Sequence, residues 1–96
     1  MIFPEQAAKG LVDALLELRL VTAVAYGSSR CVVSVQEHPA ASVHFKLDNL
    51  GELLTEFVFD GRPPVRVDYL ATPAAARELA RVVADTIAGE GGGALR

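Results

Sequence analysis

Apolar residues recur along this chain with two different periods, and the changes of period divide it into elements. Ala8, Leu11, Val12, Leu15 and Leu16 lie three or four apart, with Leu18 at the margin, so on a helix they share one face. Lys9, Asp13 and Glu17 fall opposite. Pro4 suits the first helical position, where its missing N–H costs nothing, and Glu5 suits the positive end of the helix. Gly10 weakens this helix by roughly 1 kcal/mol relative to alanine. From about Leu20 the period becomes two. Leu20, Thr22, Val24 and Tyr26 alternate with Val21, Ala23 and Ala25. Gly27-Ser28-Ser29 reads as a turn. Arg30 to Glu37 reads as the return strand, with Cys31, Val33 and Val35 inward and Arg30, Ser34 and Gln36 outward. His38-Pro39-Ala40 breaks the ladder, because proline cannot donate to it. Over 42–48, Val43, Phe45 and Leu47 alternate with Ser42, His44, Lys46 and Asp48, the pattern of a sheet covered on one side.

Residues 49–61 admit two readings. Asn49 and Glu52 have capping-box spacing, and Leu50, Leu53, Leu54, Phe57 and Val58 fit a helical stripe. Against that, Gly51 sits in the first turn, and Phe57-Val58-Phe59 runs into the turn pair Asp60-Gly61. The favoured reading is a short helix from Leu50 to about Phe57, and the alternative is a further strand over 53–59. Arg62-Pro63-Pro64 is loop or extended edge. Val65, Val67 and Tyr69 then alternate with Arg66 and Asp68 as a strand.

The clearest helix closes the chain. Thr72 is a good N-cap and Pro73 a good first residue. Ala76, Leu79, Ala80, Val83 and Ile87 make one face, and Arg77, Glu78, Arg81 and Asp85 the other. Gly89 is the expected stop. Residues 90–96, with Gly91-Gly92-Gly93, are expected to form a flexible tail beyond a single domain over 1–89.

These elements predict an α+β two-layer domain. An antiparallel sheet of about four strands carries the N- and C-terminal helices on one face, in the order α-β-β-β-α-β-α, or α-β-β-β-β-β-α if 53–59 is a strand. Ninety-six residues with 51% hydrophobic content suffice for one folded core. Such a sheet has one bare face, and Val21, Ala23, Ala25 and Val32 cannot all turn inward with their neighbours. An apolar patch left outside marks an interface.

Charge and candidate chemistry alter this picture little. Net charge is −3, so bulk attraction to nucleic acid or anionic lipid is not expected. Arg62, Arg66, Arg77 and Arg81 suggest a basic strip, but the aromatics that would accompany a nucleic-acid site read as core. No run of eighteen apolar residues and no secretory start occur, and one cysteine makes no internal bridge, so the expected location is cytoplasmic and away from membranes. Cys31, His38 and His44 are too few and too divergent for zinc, since Cys31 points inward and His44 outward. No metal and no cofactor are expected. Cys31 reads as a small buried hydrophobe. Gly27-Ser28-Ser29-Arg30 lacks the lysine and following helix of a phosphate loop.

The expected function is a non-enzymatic protein-interaction module. It forms a homodimer and binds a protein partner through its sheet face or edge. Val21, Ala23, Ala25 and Val32 supply the contact, and Arg62 on its proline-stiffened loop adds a second. The alternative is a small-molecule or sensor domain with a pocket near Tyr26, Tyr69 and Phe57. An enzyme would need Asp68, His44 and Arg66 gathered in one pocket. By order of elements alone, the layout resembles small acidic secretion-chaperone domains, which pair and hold a partner segment. That resemblance implies a chaperone-like or regulatory role, and no motif extends it to a family.

Overall fold

The computed structural model describes residues 3–69 and 72–94, with side chains as far as Gly89. Helix α1 spans Pro4–Glu17, strands β1 to β5 span Thr22–Gly27, Arg30–Val35, His38–Leu47, Leu53–Val58 and Val65–Val67, and helix α2 spans Pro73–Ala94. The five strands form one antiparallel sheet in sequential order. Both helices lie on the same face of it, which makes the expected two-layer α+β domain with the second of the two expected orders.

The stretch read as a short helix is strand β4. Three local features decide this. Asp48 Oδ1 accepts from the backbone N–H of Leu50 and of Glu52, at 2.8 and 2.9 Å. Gly51 takes a left-handed φ of 77°, which glycine adopts without steric cost. Together they reverse the chain within a few residues, so 53–58 runs back along β3 instead of beginning a helix from Asn49. Leu50, assigned to the apolar stripe, is 83% exposed.

Pro39 also lies within a strand. Ser34 pairs with Ser42, but Val35 pairs with His38. The extra residues of β3 therefore form a bulge, a place in a sheet that tolerates proline.

The closing helix is built as expected at its start. Thr72 Oγ1 accepts from the Ala75 N–H at 3.2 Å. Ala76, Leu79, Ala80, Val83 and Ile87 are all buried. Gly89 does not end it. Nothing crowds Gly89 and its backbone is not left-handed, so the helix passes through at a cost of roughly 1 kcal/mol. The tail expected over 90–96 belongs to α2 up to Ala94, and 95–96 lie outside the described residues. In α1 the buried face is Pro4, Ala7, Ala8, Leu11, Ala14 and Leu15. It is turned toward the alanines from the expected stripe, because α1 must meet the sheet and α2 at once. Leu16 is left 60% exposed.

The core lies between the layers. Cys31, Val33, Val35, Val43, Phe45 and Phe57 rise from the sheet against Leu11, Leu15, Leu79 and Val83. Tyr69 closes one side. Its ring meets Phe45 edge-on at 5.4 Å, and its hydroxyl donates to the Ala7 carbonyl at 3.2 Å.

Candidate functional site

Strand register assigns every sheet residue to one of two faces. Val24, Val33, Val43 and Phe57 pair in sequence across the sheet, as do Cys31, Phe45 and Thr55. These face the helices. The next row, Ala25, Val32, His44, Glu56 and Arg66, therefore faces the other way, with no helix over it. Ala23, Ser34, Ser42 and Val58 make a second such row, and Arg30, Lys46 and Leu54 a third.

This open face has an apolar corner and a polar centre. Ala23 and Ala25 on β1 are exposed, and Val32 beside them is partly exposed. Val21, one residue before β1 and of the same parity, is 51% exposed. All four expected interface residues of the sheet thus lie together, away from the helices. Arg62 does not join them. It follows β4 at the far side of the sheet, with its guanidinium 5.6 Å from the centre of the Phe59 ring.

The polar centre is held by its own contacts. Arg30 Nη2 lies 2.8 Å from His44 Nδ1, and Ser42 Oγ 3.1 Å from Nε2. Arginine only donates, so Nδ1 accepts and Nε2–H donates to the serine, which assigns a neutral imidazole. Partial burial holds His44 below the ordinary histidine value, and the Arg30 charge adds to this. Lys46 Nζ and Glu56 Oε1 are 2.7 Å apart. That hydrogen bond holds the Glu56 carboxyl below its usual range. The three rows thus hold three cations, Arg30, Lys46 and Arg66, beside the carboxylate of Glu56. Among the described residues the face carries no aromatic: Phe45 and Phe57 are buried toward the helices. It therefore offers no platform on which bases stack.

The sheet has two unlike edges. At one end β5 has three residues, with Pro63-Pro64 ahead of it and Arg66 in its middle. At the other, β1 has six residues, none charged and none proline. Sheet edges are ordinarily blunted by short strands, proline and charge. The first edge has all three and the second has none. The sequence places the contact on the sheet face or at an edge. That β1 is an edge strand was not legible, because only the strand order reveals it.

The residues of the other readings are dispersed. Tyr26 borders a cleft with Glu5, Ala8, Lys9, Val12 and Val24 beside β1. Tyr69 borders another, between the two helices, and Phe57 is buried. They make no common pocket. Asp68 lines a cleft against α2, whereas His44 lies on the open face. Arg77 is on the helix layer, 3.8 Å from Glu17, and Arg66 is on the open face, so the four arginines form no strip. Among the described residues no three His, Cys, Asp or Glu side chains converge. Cys31 is fully buried, and desolvation, with Glu5 adding to it, raises its thiol pKa. The turn at Gly27 and Ser29 does border a cleft at the α1 N-terminus, and Glu5 and Arg30 both line it, so it carries charges of both signs.

No helix among the described residues is long and apolar enough to cross a membrane. No family model matches the chain, and no solved structure matches it.

Proposed function

We propose that this protein is a non-enzymatic interaction module that assembles with a second copy of itself and holds a protein partner against its sheet, working in the cytoplasm. One observation carries the reading: two helices shelter one face of a five-stranded sheet, and the apolar corner of Val21, Ala23, Ala25 and Val32 stays outside. Contiguous apolar surface of this kind is what a protein contact covers. The pocket reading has no comparable support, since its three aromatics stand apart.

Light scattering on the purified chain, from about 1 to several hundred micromolar, tests the self-association. A dimer mass is expected, and a monomer throughout overturns it. Val32→Glu then locates the contact. Assembly lost with the fold intact puts it on the flat face, and unchanged mass removes Val32 from it.

A further inference from the structure

We infer that β1 pairs antiparallel with β1 of a second copy about a two-fold axis at Val24, joining two five-stranded sheets into one. This rests on the interaction reading above and names the occupant of the edge.

The backbone gives the register. The Val21 carbonyl accepts from the Gln36 N–H at 2.8 Å. In an antiparallel ladder, residues alternate between turning both backbone groups to the partner strand and turning both away. Val21, Ala23 and Ala25 therefore bond toward β2. Thr22, Val24 and Tyr26 turn their N–H and C=O groups out of the sheet. With the axis at Val24, Val24 lies opposite itself and Thr22 of one copy lies opposite Tyr26 of the other. Each of these pairs exchanges two N–H···O=C bonds. Tyr26 and Thr22 then form an aromatic and β-branched cross-strand pair.

Charge selects a second copy over an acidic or basic partner. A surface that meets itself across a two-fold sets like charge against like, and β1 carries none. Glu5 and Lys9, on the α1 flank beside it, are of opposite sign. An edge made for an acidic or basic partner would be charged.

The exposed side chains agree. Tyr26 is 68% exposed and Val21 51%. Val12 lines the cleft beside Val24 and Tyr26, and Leu16 lies one helical turn further along the same flank. Pairing covers this strip from both layers. On the open face it sets Ala23 of one copy beside Ala25 of the other, merging two apolar corners into one.

Val24→Pro removes an outward N–H that the monomer does not use. It should raise the dimer Kd by roughly tenfold or more and leave the far-ultraviolet circular dichroism of the fold in place. Val32→Glu should stay dimeric. Should Val24→Pro fail to fold, cysteines decide. Val24→Cys lies on the axis and should form a covalent dimer under mild oxidation, whereas Thr22→Cys, opposite Tyr26, should not. A Val24→Pro protein that still dimerises, or a Val24→Cys protein that does not crosslink, overturns the edge pairing and leaves the interaction module standing. A monomeric wild type overturns both.

Discussion

At the scale of single residues, His44 has the most chemistry to test. It stands neutral between Arg30 and Ser42, with Lys46 and Glu56 near enough to act on it. Its folded-state pKa is depressed, so on acidification the unfolded chain takes up the proton first. The contribution of His44 to stability is whole above the ordinary value of 6.5 and lost as pH falls through the folded value. Glu56 is depressed below 4.5, so its contribution is lost only in more acidic solution. Urea midpoints at about pH 7.5 and 5.5 should therefore fall on acidification, and fall less in His44→Gln. Equal drops would remove His44 from the account. Tyr69 makes a second case. Tyr69→Phe keeps the ring against Phe45 and loses only the bond to Ala7, a cost of roughly 0.5–1.5 kcal/mol in chemical denaturation. A larger loss would mean that the hydroxyl supports more than that carbonyl.

At the scale of elements, helix packing makes sharper forecasts than helix propensity. Leu79 is 3% exposed at the centre of the α2 face, so Leu79→Asp places a charge in the core and should abolish the cooperative thermal transition. Arg81 is exposed on the same helix, and Arg81→Ala should leave the midpoint almost unmoved. Gly10 lies where α1 passes α2. A Cβ built there meets Tyr69 Oη at 3.4 Å and the Ala76 Cβ at 3.9 Å, which are ordinary contacts. Gly10→Ala should therefore raise stability by up to roughly 1 kcal/mol. A clear loss would show that the helices need the missing Cβ. In the sequence tolerance is a simpler reading of Gly10 than close packing, and the distances agree with it.

At the scale of the whole molecule, the sheet is asymmetric in two directions. One face is covered and the other bare. One edge is blunted by prolines and Arg66, and the other is a neutral strand of six residues. Ala23 and Ala25 stand where these two exposures meet. A second copy on β1 would satisfy the edge and would widen the bare face, so self-pairing and partner binding support each other. Pairing should also protect the amide protons of Thr22, Val24 and Tyr26 against hydrogen exchange as concentration rises. Exchange at those sites that is independent of concentration would count against the shared sheet.

Local signals in the sequence determined the two helices, the first hairpin, the alternation at 42–48 and the two-layer class. Each lay in a short window: a cap and proline before a helical stripe, a glycine-serine turn, a clean period of two. The core face of α2 was legible residue by residue, because an amphipathic helix records its environment in its own spacing. Strand β4 was not. Thr55 faces the core there while Leu54 and Val58 face out, so polarity does not report the side, and Asp48 settles the matter through its backbone contacts. The apolar patch at Val21, Ala23, Ala25 and Val32 could be inferred from the surplus of apolar residues over one covered face. Which strand lies at the edge, and which backbone groups it turns outward, depend on pairings between distant segments. Those pairings exist only in the folded molecule, and they made β1 the surface on which the proposed assembly rests.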